Sequence, residues 1–456
     1  MMGALKQYLD IYIGAAPALD DASAPVMNAL RPAALDALRG SRFPDKSDEG
    51  YEKTSVEAMM EPDYGINMIG INIPVDVARS FKCDVPAVST LMGFILNDSF
   101  MPVKHLRERL PEGVIFTSLR DAAITRPQLV EKYYGRLADL DNTPAALNTL
   151  LARDGAFIYI PRGVKVDRPL QLVDIFSAPS DIMGVRRVLI VLEEGAEASL
   201  LVCDHTQDAE RNYLASQVME IFLAPRSNLK MCMIEESGAT TTRHAMTWVE
   251  QKEGSSLTLT SATLTAGTVR NEWNVALTGE GAECRLAGMA IGSRDMHIDN
   301  CSNVTHIARR CHSDQIFKYV LDDEASGAFE GTIVVSPGSQ YTEAYQTNRN
   351  LLASTGARMH ARPQLEIYND DVKCSHGAAT GQLDNEALFY MRSRGIPEAE
   401  ARTMLMQAFM LDVVDTVAVA GVADRLRHLV ERRFAGTDMC EGCAIGDGGK
   451  ESAENV

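Results

Sequence analysis

Turn signals recur along the middle of this chain at near-regular intervals. A glycine or a polar residue pair precedes each of six strand-like segments, at Gly195-Ala196, Arg226-Ser227, Gly254-Ser255, Gly281-Ala282, Gly327-Ala328 and Gly356-Ala357. The intervals are 31, 28, 27, 46 and 29 residues. A repeat of about 28 residues is typical of a stacked β-solenoid, in which each coil buries its face on the next. The 46-residue interval breaks the repeat, and the spacing alone leaves a β-sandwich open.

The distribution of proline and of apolar residues divides the chain. Fourteen of the 18 prolines precede residue 180, and apolar residues at helical spacing there predict helices over 26–38 and 126–137. Short strand-like runs follow, and helical spacing returns after Pro397. We interpret the last helices as packing against the end of the solenoid, where they would cap its exposed sheet edge. The expected domains are an N-terminal helical domain over 1–150, a central β domain over 151–380, a C-terminal helical domain over 381–436 and a disordered tail over 437–456.

Charge and composition exclude several classes of protein. The net charge of −18 argues against a general nucleic-acid surface, which needs a basic patch. The apolar runs are too short to span a bilayer. Asp10 interrupts the apolar N-terminal stretch, which predicts a short amphipathic helix and not a signal peptide. The nine cysteines are odd in number and scattered, which favours a reducing cytoplasm over a secreted disulfide framework.

Enzyme motifs are missing from the sequence. It contains no Gly-x4-Gly-Lys-Ser/Thr phosphate loop, no Gly-x-Ser-x-Gly nucleophile elbow and no His-Glu-x-x-His zinc motif. We therefore expect a protein that is not an enzyme, and any ATP hydrolysis would have to come from a partner.

Cys374 and His376 are the strongest candidates for chemistry. They flank Ser375, after two acidic residues and before the small residues Gly377-Ala378-Ala379. If this segment is a strand, the thiol and the imidazole point to the same face. Both groups suit iron, zinc or transferred sulfur. The two residues alone leave open a buried thiol beside a hydrogen-bonded histidine.

Two further groups of cysteine and histidine residues can be explained without a functional role. Cys440 and Cys443 form a Cys-x-x-Cys pair near the acidic, glycine-rich end, where a disordered tail, a metal contact and a redox pair all stay open. Five more side chains crowd into 16 residues at gaps that do not suit a tetrahedral zinc site, so we interpret them as buried structural residues. They are His297, Cys301, His306, Cys311 and His312.

The sequence around Cys374 and His376 resembles the SufB/SufD family of iron–sulfur cluster assembly scaffolds. The matching blocks occur in the family's order and cover roughly residues 30 to 430. The Cys-Ser-His-Gly form and the Arg-Ser-Arg-Gly-Ile run are more similar to the SufD branch than to the SufB branch. The blocks are Ser313-Asp314-Gln315, Gly327-Ala328-Phe329-Glu330-Gly331, Asn348-Arg349-Asn350-Leu351-Leu352, Pro363-Gln364-Leu365-Glu366-Ile367 and Leu388-Phe389-Tyr390-Met391-Arg392-Ser393-Arg394-Gly395-Ile396.

The resemblance implies a fold and a complex. The fold is mainly β, a right-handed parallel β-helix flanked by N-terminal and C-terminal α-helical domains. The function is that of a non-catalytic scaffold subunit of a cytoplasmic SUF complex that pairs with a SufB-like paralogue and docks a SufC-like ATPase. The alternatives are a SufB-like subunit that carries the nascent cluster itself and a β-solenoid enzyme acting on polysaccharide. A homodimer stays open as the state of the isolated chain.

The resemblance also implies roles for particular residues. His376 becomes the leading ligand for a transient iron–sulfur cluster or iron at the SufB interface, with Cys374 less certain, and no cofactor is expected to stay bound. The C-terminal helical region is implied to contact the ATPase, and the residues expected there are Met404, Leu405, Ala408 and Phe409.

Overall fold

The structure, a computed structural model, describes residues 3–71, 90–101, 103–208, 210–419 and 421–435. The Cys440 and Cys443 pair lies outside the described residues. Within the described ranges the helices are α1 (Ala4–Asp21), α2 (Pro25–Asn28), α3 (Arg31–Leu38), α4 (Val56–Met60), α5 (Leu106–Arg109), α6 (Leu119–Thr125), α7 (Pro127–Glu131), α8 (Thr143–Leu151), α9 (Asn385–Ser393), α10 (Glu398–Val414) and α11 (Val422–Phe434).

The strands divide into four short ones and a long regular series. The short strands are β1 (Gly65–Ile66), β2 (Leu91–Leu96), β3 (Ser99–Met101) and β4 (Ile115–Ser118). The series is β5 (Gly155–Ile160), β6 (Leu170–Phe176), β7 (Ile182–Leu192), β8 (Glu197–Thr206), β9 (Tyr213–Leu223), β10 (Asn228–Glu236), β11 (Thr241–Gln251), β12 (Ser256–Thr265), β13 (Thr268–Leu277), β14 (Glu283–Gly292), β15 (His297–His306), β16 (His312–Leu321), β17 (Ser326–Val335), β18 (Glu343–Leu352), β19 (Arg358–Ile367) and β20 (Lys373–Gln382).

Consecutive strands of the series alternate between two sheets. The odd-numbered strands from β5 to β19 pair in order in one sheet, and the even-numbered strands from β6 to β20 pair in the other. All of these pairings are parallel. The chain therefore winds as a parallel β-solenoid of about 8 turns, and the predicted fold class is confirmed. Side chains facing inward alternate with those facing outward, and the inward rows form a largely apolar core.

One corner of the solenoid explains the irregular turn spacing. Residues in the left-handed backbone region occupy this corner in successive coils, 27 to 32 residues apart, and each donates its N–H to a carbonyl of the next coil. The coil after Gly281 uses Arg310, which gave no turn signal because it is neither a glycine nor, with Cys311 after it, part of a polar pair. Gly327 lies inside strand β17 and so belongs to a different part of the coil. The corner residues are Gly163, Gly195, Arg226, Gly254, Gly281, Arg310 and Tyr341.

The N-terminal helices depart from the sequence prediction. The helix predicted over 126–137 ends at Glu131, since Gly135 adopts a positive φ and the carboxylate of Glu220 accepts the N–H groups of Gly135 and Leu137. In a longer helix these two N–H groups would donate to carbonyls of the helix itself, but here they donate to Glu220 of the solenoid. The helix predicted over 26–38 is likewise broken into α2 and α3.

The C-terminal helices cover a different surface from the predicted one. Helices α10 and α11 pack on the outward face of the even-numbered sheet, where Cys232, Ala262 and Met289 contribute to a shared apolar cluster. Lys318 of β16, almost fully buried, donates a hydrogen bond of 2.8 Å to the carbonyl of Phe409. The expectation that these helices cap the final sheet edge is wrong, because they bury their apolar side chains against the outward face of the sheet.

Candidate functional site at the open end of the solenoid

Strand β20 forms the exposed edge of the even-numbered sheet. Among the described strands it pairs with β18 alone, and nine of its ten residues are exposed to solvent. One side of its backbone therefore presents N–H and C=O groups without strand partners, the arrangement that invites another strand to add. Cys374 and His376 both lie on this strand.

Cys374 points into the solenoid. It lies in register with Ala344 of β18 and packs against a small cluster that includes Ile333 and Val335. Burial raises the pKa of the Cys374 thiol, an effect that a hydrogen bond from the backbone of Ala344 partly offsets. The thiol form is thus favoured over the thiolate in the isolated chain at neutral pH.

His376 follows on the same face of β20. It lies in register with Gln346, and Gln346 is in turn in register with Gln315 of β16. Since side chains two residues apart on a strand share a face, His376 occupies the inward row with Cys374. His376 is nevertheless exposed, because none of the described strands stacks on the final coil. The thiol and the imidazole therefore lie together at the open mouth of the solenoid.

Behind His376 runs a buried polar column that sequence reasoning missed. Gln315 and Gln346 are almost fully buried in the inward row, and across the lumen Ser302 of β15 donates a hydrogen bond of 2.8 Å to Gln315 Oε1. Gln346 Nε2 also donates to Gln315 Oε1, at 3.4 Å. The last coils thus have polar side chains where earlier coils have apolar ones. Only the strand register reveals this column, since neither segment by itself shows that its glutamine faces the lumen.

The residues predicted on the C-terminal helix divide between two faces of α10. Leu405 and Phe409 pack against the apolar cluster of the even-numbered sheet. Met404 and Ala408 lie on the solvent side, and Leu411 continues their stripe. The structure therefore separates the four residues into an inner and an outer pair.

The histidines and cysteines between residues 297 and 312 do not converge. His297 contacts Thr54 and Ser326 at 2.7 Å each, and His306 contacts Ser313 at 2.9 Å. Cys301 and Cys311 are buried. These contacts fit the structural interpretation of the segment. Across the described ranges, no three or more His, Cys, Asp and Glu side chains are grouped so as to hold a metal ion.

The fold and the edge strand define a class: a parallel β-solenoid with helical flanks that presents a thiol and an imidazole on an open sheet edge. The chain belongs to the SufB/SufD family and is SufD-like. The family model for the SUF system FeS cluster assembly, SufBD core domain, matches residues 175–409, and the model for the SufBD protein N-terminal region matches residues 2–172. Members of this family take part in iron–sulfur cluster assembly.

Individual relatives agree with the family match. A SufBD family protein of Synechocystis is 26% identical over 411 residues, which cover 88% of this chain and 90% of the relative. The iron–sulfur cluster assembly protein SufD of Bacillus subtilis is 27% identical, covering 72% of this chain and 75% of the relative. SufD of Escherichia coli is 28% identical, covering 64% and 69%. None of the described helices combines the length and the apolar character that a membrane-spanning segment requires.

Proposed function

We propose that this protein is a non-catalytic scaffold subunit that receives iron and sulfur at the open end of its solenoid, against a SufB-like paralogue. The observation that supports this most strongly is the exposure of β20 with Cys374 and His376 in its inward row. An unpaired strand edge supplies main-chain hydrogen bonds to a partner strand, and the two side chains at the mouth supply ligands.

The two donors divide the chemistry between them. The neutral imidazole of His376 can bind iron through one ring nitrogen without losing a proton to do so. The Cys374 thiol must release its proton to solvent when it binds metal, so its contribution rises with pH. Two donors fill only part of an iron coordination sphere. A cysteine and other ligands from the SufB-like partner would complete the sphere, and the cluster is cargo that passes on.

The outer stripe of α10 is the proposed contact for a SufC-like ATPase. Met404, Ala408 and Leu411 are exposed and lie three or four residues apart, so they share one face of the helix. Helix α9 adds the exposed side chains of Phe389 and Tyr390. Large apolar side chains exposed together mark interaction surfaces. Because the inner stripe is already buried against the solenoid, ATP-driven movement of this contact would be transmitted to the β20 edge through the sheet.

Complementation of a strain lacking this chain tests the ligand role. We expect His376→Ala to fail, while its melting temperature and its co-purification with the SufB-like subunit stay close to wild type. Ser375→Ala is the matched control, since Ser375 is exposed on the same strand and points to the other face. Full complementation by His376→Ala would overturn the assignment. A stable cluster reconstituted anaerobically on the isolated chain would favour the SufB-like alternative.

A pull-down with a SufC-like ATPase tests the helical contact. Met404→Asp places a charge in the outer stripe and should abolish binding without unfolding the protein. His428→Asp, on the exposed side of α11, is the control and should bind normally. Equal binding by both variants would remove the outer stripe of α10 as the docking surface.

A further inference from the structure

We infer that Gln346 is a positioning residue for His376: its amide oxygen accepts a hydrogen bond from one ring nitrogen and so directs the other nitrogen to the metal. This inference rests on the proposed function of His376 as a ligand. It assigns a role to a buried residue one coil below the exposed edge.

Register places the two side chains together. Gln346 and His376 are paired partners on the adjacent parallel strands β18 and β20, and both occupy the inward row. Neighbouring strands lie about 4.8 Å apart, so a long side chain from one readily reaches the side chain of the other. Gln346 is 2% exposed, whereas His376 is exposed at the mouth.

The hydrogen bonds beneath Gln346 fix the direction of its amide. Gln315 Oε1 accepts from Ser302 Oγ at 2.8 Å and from Gln346 Nε2 at 3.4 Å. With its nitrogen committed to the coil below, Gln346 presents its oxygen elsewhere. That oxygen is buried and has no hydrogen-bond partner within the described residues. A buried acceptor without a donor is costly, and the register places the imidazole of His376 beside it, on the adjacent strand and in the same inward row.

A glycine opposite makes room for this amide. Gly331 of β17 faces Gln346 across the lumen, and a Cβ added at position 331 would overlap the Gln346 carboxamide. An alanine there would push the amide away from its place beneath His376. The space that Gly331 leaves is thus matched to the glutamine.

The chemistry of imidazole explains why this contact matters. A neutral imidazole carries one N–H and one bare nitrogen, and only the bare nitrogen binds a metal. Histidines that bind metals generally donate their other ring N–H to an oxygen acceptor, which fixes both tautomer and ring orientation. Gln346 Oε1 is placed to be that acceptor before any iron arrives.

The test is the tautomer of His376 in the full chain. Histidine is labelled with 15N in its ring, and the His376 signals are identified by their loss in His376→Ala. We expect one tautomer to predominate in the wild type, Gln346→Leu to shift the two nitrogen signals toward those of a freely exchanging imidazole, and Gln346→Glu, which keeps an acceptor oxygen, to retain the wild-type pattern. Gln171→Leu removes another almost fully buried glutamine of the same sheet and should change nothing at His376.

In the complemented strain, Gln346→Leu should lower the activity of an iron–sulfur enzyme on the order of 10–100-fold, the usual effect of losing such an acceptor. An unchanged tautomer in Gln346→Leu would overturn the inference whatever the activity. If Gln346→Leu does not fold, Gln346→Met provides the same test with an unbranched chain. Complementation by His376→Ala would instead reject the proposed function, and the ring signals would still decide the role of Gln346.

Discussion

A buried ion pair between two strands of the solenoid, β7 and β9, lies where the N-terminal helices meet the solenoid. Glu220 and Arg187 are both fully buried, with 2.8 Å between Oε2 and Nη2. The same carboxylate accepts the N–H groups of Gly135 and Leu137, at 2.9 Å and 2.8 Å. Glu220→Gln keeps the shape of the side chain and leaves Arg187 as a buried cation without its counter-charge. Removing one partner of such a pair destabilises a protein by about 3–5 kcal/mol, and we expect a loss of that size here.

Chemical denaturation measures this loss as a change in the free energy of unfolding. The control is Glu194→Gln, because Glu194 pairs with Arg162 at the exposed rim and its removal should cost less than about 1 kcal/mol. The double change Glu220→Gln with Arg187→Met should recover part of the loss, since no charge is then left buried. A Glu220→Gln protein within about 1 kcal/mol of wild type would refute the reasoning that Arg187 needs its buried counter-charge.

Two further predictions concern pH and the C-terminal helices. Burial raises the pKa of Asp174 to about 7 and of Glu235 to about 8, so the folded protein keeps protons that the unfolded chain releases above about pH 4. The contribution of these two carboxyls to stability should therefore fall as pH rises between about 4 and 8, and Asp174→Asn should remove the share of Asp174 from the pH dependence of thermal melts; a pH dependence identical to that of wild type would contradict it. Lys318→Met removes the hydrogen bond to the carbonyl of Phe409 and the ion pair with Asp412, and should cost about 1–3 kcal/mol. Faster hydrogen exchange confined to α10 would confirm this cost, and unchanged exchange would exclude it.

The sequence predicted the solenoid but not its corners. Left-handed turns at glycine were visible as a repeat, whereas Arg310 and Tyr341 adopt the same backbone conformation without a turn residue. Hydrogen bonds to the next coil hold those corners in place. These bonds join residues about 30 positions apart, so the sequence of one segment cannot predict them. The helix predicted over 126–137 failed for the same reason, because Glu220 lies more than 80 residues away.

The sequence predicted which residues form the candidate site, but it did not predict how they are arranged in the fold. The two-residue spacing of Cys374 and His376 predicted a shared strand face, which the structure shows. The predicted helix stripe of Met404, Leu405, Ala408 and Phe409 proved to span two faces, since helical spacing cannot tell which side of a helix meets the sheet. Gln346 escaped notice because its importance comes from the register between coils.

The most direct test of the central claim is the nitrogen coupling of the assembled cluster. The chain, labelled with 15N in its histidines, is co-purified with its unlabelled SufB-like and SufC-like partners, loaded with iron and sulfide, reduced and examined by pulsed electron paramagnetic resonance. If His376 is a ligand at the open end of the solenoid, the spectrum should show a 15N coupling of a directly bound ring nitrogen, and His376→Ala should lose it. An identical coupling in His376→Ala, or a cluster without any 15N coupling, would contradict the account.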